Sequence, residues 1–371
     1  MRFSAKFFHH PDQTMPACRF QQEQSKPGFW CYDEKPRTEE RIIVIRVQDL
    51  SKTYRIHEKD PGLMGSIKGL FNRRWLDRHA LRPISFEVAP GEIVGLLGAN
   101  GAGKTTLIKM LAGIMHPSSG SAEVQGFVPW QRKAQFKHQI ALILGQKSQL
   151  WPDLPAADSL LLLQEIYRID PKDYHERLDY FLDTLDLRKL LKTQIRRLSL
   201  GERMKFELVA ALLHQPKVIF LDEPTIGLDI GSQRAIRNFL HEYRRNFRPA
   251  MILTSHYMED VTALCERLLI LRDGELVFSG RLADITSRYA QTRKIRLGMK
   301  DEAMKAAILQ VCPEAKAEGE GNSSLALSVP KDDVSETIFR ILRVAPLVDL
   351  AIEEDDLASI IDALQTAREL A

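Results

Sequence analysis

Two things are scarce in this chain of 371 residues: cysteine and long uninterrupted apolar stretches. Its four cysteines are Cys18, Cys31, Cys265 and Cys312, and none forms a C-x-x-C pair or a zinc-ligand spacing. A disulfide framework is therefore not expected, and a reducing cytosol suits the chain. No apolar run approaches the roughly 20 residues that cross a bilayer. The longer ones, 160–163 and 208–213, are core-sized. The N-terminus carries Arg2, Lys6, His9, His10 and Pro11 without the apolar stretch of a secretory signal. Any membrane role is thus expected to run through a partner or a surface. Charge of one sign is missing as well. The 52 basic and 49 acidic residues leave +3, so composition by itself does not argue for nucleic-acid binding.

What is present is an ordinary globular composition, 44% hydrophobic and 27% charged. The length suggests about two or three domains. Residues 1–40, with four prolines and six residues of each charge sign, read as a flexible leader. From residue 42 onward short apolar strands are expected at 42–47, 81–88, 92–97, 218–221 and 251–254. Helical periodicity is expected at 105–113 and 156–191, with Leu160, Leu163, Ile166 and Tyr167 sharing one face. Strands alternating with helices argue for an α/β domain with a largely parallel sheet. Beyond about residue 289 the units shorten. Strands at 294–297, 324–329 and 348–352 alternate with helices at 301–311, 334–344 and 357–364. That suits a small ferredoxin-like α+β domain, although one strand of the pattern is not evident.

Two motifs carry chemistry. Gly98-Ala99-Asn100-Gly101-Ala102-Gly103-Lys104-Thr105 fits the phosphate-binding loop G-x-x-x-x-G-K-[ST] and sits between a strand and a helix, as that motif requires. Its glycines let backbone N–H groups cradle phosphate oxygens, and the following helix aims its positive end at them. Lys104 is expected to reach the β- and γ-phosphates, and Thr105 to offer a hydroxyl to Mg²⁺. The dinucleotide spacing G-x-G-x-x-G is not met. Further on, the apolar strand 218–221 ends in Asp222-Glu223. After a phosphate loop this pair reads as a metal-holding carboxylate, Asp222, and a general base, Glu223. Between the two motifs, Ser199-x-x-Glu202 is a capping-box pattern that opens a helix. A helix start is a natural anion site, but capping boxes are common and this pattern alone favours a capped helix without a ligand.

At Leu198-Ser199-Leu200-Gly201-Glu202 the chain resembles the ATP-binding subunit of an ABC (ATP-binding cassette) transporter, and the resemblance runs in order over residues 42–285. Tyr54 matches the adenine-stacking aromatic, Gly98 to Thr106 the Walker A loop and Gln146 the Q-loop glutamine. Residues 198–202 match the signature, 218–223 Walker B, Gly227-Leu228-Asp229 the D-loop and His256 the switch histidine. The signature departs from L-S-G-G-Q at Leu200 and Glu202 but keeps Ser199 and Gly201. The resemblance implies a P-loop NTPase cassette, with a RecA-like core and antiparallel β and helical subdomains. The cassette would span 41–288, its helical subdomain 147–205, and an accessory domain would occupy 289–371. It implies ATP and Mg²⁺ as ligands. Gln146 would touch the metal, His256 the γ-phosphate and attacking water, and Ser199 and Gly201 the γ-phosphate of a second copy. It also implies a separate permease, a dimer of ATP-binding subunits, no nucleic acid and a peripheral place on the cytoplasmic face of the membrane.

Residues 146–154 and the C-terminal stretch 349–357 are similar to cassettes that serve ABC-2-type permeases, a mainly exporting group. An importer ATPase, a soluble ABC ATPase and a nucleotide-binding module without turnover are the competing readings. Between Tyr54 and the phosphate loop, Leu63, Ile67, Leu70, Phe71 and Trp75 fall on one helical face beside Lys68, Arg73, Arg74 and Arg78. A basic amphipathic helix is therefore expected within 60–79, suited to a membrane or permease surface.

Overall fold

Alternation at a period of two places strand side chains on opposite faces of a sheet. In this chain both faces of the central strands are apolar, so those strands are buried on both sides. The computed structural model describes residues 42–58, 74–145, 147–289, 292–299, 302–317, 324–354 and 360–361. The expected leader 1–40 and Gln146 lie outside them.

In chain order, β1 (Ile45–Glu58) pairs antiparallel with β2 (Arg74–Val88). There follow β3 (Ile93–Gly98), α1 (Lys104–Leu111) and β4 (Ser119–Val124), the last pairing with β1. After α2 (Ala134–Gln139) and β5 (Ile140–Leu144) come three helices, α3 (Ala156–Tyr167), α4 (Pro171–Thr184) and α5 (Leu200–Leu212). The sheet resumes with β6 (Val218–Asp222), α6 (Ile230–Phe247), β7 (Ala250–Thr254), α7 (Met258–Leu264), β8 (Arg267–Arg272), β9 (Glu275–Arg281) and α8 (Leu282–Tyr289). The six-stranded order is β5-β6-β7-β3-β8-β9, parallel except for β9.

The two faces of this sheet build separate cores. Ile93, Leu97, Ile219, Leu221, Met251 and Leu253 point into one, with α3, α4, α5 and α6. Val94, Leu96, Val218, Phe220, Ala250 and Ile252 point into the other, with α1 and the β2-β1-β4 sheet. Each fully buried Leu, Ile or Phe contributes about 1.5–3 kcal/mol of apolar transfer, which holds the strand ends in fixed register.

The C-terminal part runs β10 (Thr292–Gly298), α9 (Glu302–Val311), β11 (Lys316–Ala317), β12 (Ser324–Pro330), α10 (Val334–Val344) and β13 (Asp349–Glu354). Its antiparallel sheet has the order β11-β12-β10-β13, a ferredoxin-like βαββαβ arrangement. The strand that sequence pattern did not reveal is β11, only two residues long. Ile360 and Ile361, within the expected last helix, are buried in the same cluster as Ile285 of α8.

Two expectations need correction. The helix placed within 60–79 does not reach its C-terminal end. Trp75 and Arg78 lie in β2, opposite His57 and Tyr54 of β1, and that ladder takes up the backbone. Trp75 and Leu76 are exposed, so apolar spacing there reports no core face. Leu63, Ile67, Lys68, Leu70, Phe71 and Arg73 lie outside the described residues. On α3, Leu160 is buried, but Ile166 stands out in solvent with Leu161 and Leu162.

After α5, His214 packs where β5 meets α3. Its ring stacks on Tyr167 at 3.9 Å between centroids. Nε2–H donates to the Ile140 carbonyl at 3.0 Å, and the buried Nδ1 has no partner among the described residues. Burial pushes the imidazole down to about 4, with His138 and Arg177 acting in the same direction. A proton on Nδ1 would be an uncompensated charge, so the unfolded chain, at a pKa of about 6.5, protonates first. This contribution is whole above about pH 6.5 and is lost as pH falls toward 4, worth roughly 3 kcal/mol. His214→Phe keeps the stack and is expected to melt with a shallower pH dependence across that window. Parallel Tm-against-pH curves for the two proteins would refute the assignment.

Candidate functional site

Ligands of open parallel sheets sit at the C-terminal ends of the strands. Here β3 ends at Gly98, β6 at Asp222 and β7 at Thr254, and β7 lies between the other two. The register aligns Asp222 with Thr254 directly. The phosphate loop is thus fixed one strand away from the acidic pair.

In the loop, Gly98, Gly101 and Gly103 take positive φ, Asn100 is exposed and Ala102 is buried. Lys104 opens α1 and Thr106 lies half-buried two residues on, in the first turn. Lys104 is 7% exposed, and its ammonium donates to the carbonyls of Gly98 at 2.5 Å and Ala99 at 3.2 Å. Among the described residues it makes no ion pair. Burial holds its pKa below the ordinary lysine value, opposed by the nearby charges of Glu223 and Asp222. A buried cation resting on neutral carbonyls suits an incoming anion, which supplies the missing countercharge.

Asp222 and Glu223 are held by neighbours. Thr105 Oγ1 donates to Asp222 Oδ2 at 3.0 Å, and Thr254 Oγ1 to Asp222 Oδ1 at 2.8 Å. The Glu223 N–H donates to Thr254 Oγ1 at 3.0 Å. His256 Nε2 meets Glu223 Oε1 at 2.9 Å. Glu223 itself adopts a left-handed backbone, φ 55°. Thr105, Lys109, Gly145, Lys147, Asp222 and Glu223 line a cavity of about 200 Å³. Two carboxylates and a hydroxyl around one cavity form an oxygen donor set suited to a divalent cation, and the Lys104 ammonium, close enough to feel both carboxylates, suits the phosphate that such a cation accompanies.

The remaining expected residues lie on other surfaces. Tyr54, on β1, is partly exposed and donates its hydroxyl to Met115 Sδ at 3.0 Å. Ser199 caps α5 in a reciprocal box. Its Oγ accepts the Glu202 N–H at 3.2 Å, and its N–H donates to Glu202 Oε2 at 2.9 Å. Gly201 is buried against the start of α6, where an added Cβ would lie 2.2 Å from Ser232 Oγ. Asp229 caps α6 by accepting the Ser232 N–H at 2.9 Å and its hydroxyl at 2.6 Å, which keep its carboxyl below the usual range. Among the described residues no hydrogen bond joins Ser199, Gly201 or Glu202 to Lys104, Asp222 or Glu223.

Sequence reasoning missed three supports. Thr254 bonds both acidic residues, a role readable only from strand register. Gly145 passes so close beneath Glu223 that it has no room for a side chain. Asp260, 1% exposed, accepts from Thr225 at 2.5 Å, Ser255 at 2.7 Å and Arg237 at 2.8 Å. It thereby ties the turn after Glu223 to the residue before His256.

The chain is similar to several known proteins. The profile of a family described as ABC transporter matches residues 81–226. ABC transporter ATP-binding protein NatA of Bacillus subtilis (strain 168) is 32% identical over 218 residues, 58% of this chain and 88% of NatA. Cholesterol transporter ABCA5 of Mus musculus is 28% identical over 314 residues, 83% of this chain, but the chain spans only 18% of ABCA5. Among solved structures, an ATP-binding subunit of an ABC transporter superposes with a TM-score of 0.55 at 26% identity, covering 66% of this chain and 93% of that one.

Proposed function

The chain belongs to the family of ABC transporter ATP-binding proteins, and from that premise we propose that it is the ATP-hydrolysing subunit of an ABC-2-type exporter, working on a separate permease. The observation that carries this reading is the meeting of Lys104, Thr105, Asp222, Glu223 and His256 at three adjacent strand ends. Lys104 and the loop N–H groups bind the phosphates. Thr105, Asp222 and, by resemblance, Gln146 would hold Mg²⁺, which would supply charge neutralisation for the transferring phosphoryl group. Glu223 takes the proton from the attacking water, and His256, touching Glu223, orients the pair.

Among the described residues Ser199, Gly201 and Glu202 make no hydrogen bond to this site, which supports a second copy whose site they complete. Tyr54 stacks on the adenine, and Asp229 belongs to the surface between copies. Leu161, Leu162 and Ile166, an uncovered apolar side of α3, support contact with the permease. Among the described residues no helix is long and apolar enough to cross a membrane. The subunit is then peripheral, on the cytoplasmic face, with residues 41–288 as cassette and 289–371 as accessory domain.

The full-length protein is expected to hydrolyse ATP only with Mg²⁺, at a rate rising more steeply than linearly with protein concentration. Turnover strictly linear in protein would sink the two-copy site. Turnover stimulated by DNA or ribosomes would favour a soluble ATPase.

A further inference from the structure

One buried carboxylate has no part in that chemistry. Glu207 lies on α5 two turns beyond Ser199 and is 4% exposed, between buried Phe206 and Leu208. Among the described residues it has no cationic partner. It accepts hydrogen bonds from the Ser148 hydroxyl and from the main-chain N–H of Gln149 at 2.9 Å and Leu150 at 3.5 Å. A residue needed only for packing would be apolar, like its neighbours. A buried carboxylate is tolerated when hydrogen bonds satisfy it, and here every donor comes from one short loop.

That loop is anchored at its other end too. The Gly145 N–H donates to the Asp222 carbonyl at 2.8 Å, and Lys147 lines the cavity with Thr105, Asp222 and Glu223. Gln149 Nε2 adds a bond to the Leu142 carbonyl of β5 at 2.7 Å. Hydrogen bonds therefore run from the acidic end of β6, along this loop, to the helix that presents Ser199 and Gly201.

We propose that Glu207 is a positioning residue that makes loop 147–150 and α5 move as one body. Events at Asp222 and Glu223 then displace the Ser199–Gly201 surface offered to a second copy. The proposal rests on the two-copy ATPase reading above. If the loop parted from α5, the carboxylate would lose all its donors together, so a joint motion is favoured over an independent one.

Glu207→Gln keeps the size but turns one acceptor into a donor facing an N–H. The full-length variant is expected to lose roughly tenfold in kcat with its ATP half-saturation within twofold of the wild type. In hydrogen exchange, ATP with Mg²⁺ is expected to protect loop 147–150 and residues 200–204 together in the wild type, and the loop alone in the variant. Leu208→Ala, which loosens the same helix without touching the loop, is expected to lower Tm yet keep kcat per folded molecule. Wild-type kcat with joint protection in Glu207→Gln would overturn the proposal. So would a kcat loss that vanishes when corrected for folded fraction. If Glu207→Gln does not fold, Ser148→Ala decides the matter, because it removes one donor from the loop side. A smaller drop of the same sign supports the proposal, and no change overturns it. Failure of the wild type to hydrolyse ATP would instead strike the underlying reading.

Discussion

Replacing Glu223 with glutamine should yield a protein that binds ATP and accumulates as a dimer while turning over about a thousandfold more slowly. The side chain keeps its size, and its remaining oxygen can still meet His256 Nε2, which lies 2.9 Å from Oε1 in the wild type. Asp222, held by Thr105 and Thr254, is untouched, so the part of the site proposed to hold the metal stays intact. What disappears is the carboxylate that, among the described residues, pairs with His256 and can accept a proton from water. A positioned general base is worth about 10²–10⁴ in rate, and phosphoryl transfer otherwise depends on positioning that the variant retains. Single-turnover phosphate release and light scattering with ATP measure the two halves of the expectation. Wild-type turnover in the variant would remove Glu223 from the role of base.

Gly145→Ala is expected to lower kcat about a hundredfold with a much smaller change in ATP half-saturation. An added Cβ would lie 2.1 Å from the Glu223 carbonyl oxygen, whereas real Cβ atoms do not come closer than about 3.0 Å. Retreat is blocked, because the Gly145 N–H is bonded to the Asp222 carbonyl at 2.8 Å. Either that bond breaks or the Glu223 peptide moves by about 1 Å, and displacement of a reacting group by that amount costs on the order of 10² in rate. In the proposed reading nucleotide is held mainly by the phosphate loop, on the far side of β7 from Asp222, so binding is expected to be largely spared. Steady-state kinetics alongside Tm checks this. Unchanged kcat in a folded variant would show that the loop slides freely past Glu223.

The strand ends were readable because each announces itself locally. The loop from Gly98 to Thr105 has a fixed spacing, and 218–221 is an apolar strand that stops at two carboxylates. The capping box at Ser199 is also written in adjacent residues, and both of its hydrogen bonds are present. The supports were not legible, because each joins residues far apart in sequence. Thr254 reaches Asp222 across 32 positions, and Glu207 reaches Ser148 across 59. β11 was missed for another reason, since two residues carry no period. Trp75, placed at the end of the expected helix, lies in β2, where an exposed strand end has no core face to enforce alternation.

The backbone of Glu223 has one more consequence. A left-handed φ of 55° at a residue with a Cβ costs roughly 1–2 kcal/mol, which glycine would avoid and asparagine would reduce. A lineage that no longer needed turnover would gain stability by drifting to either residue here. With Glu223 as the proposed base, glutamate is kept at that position against this cost in stability.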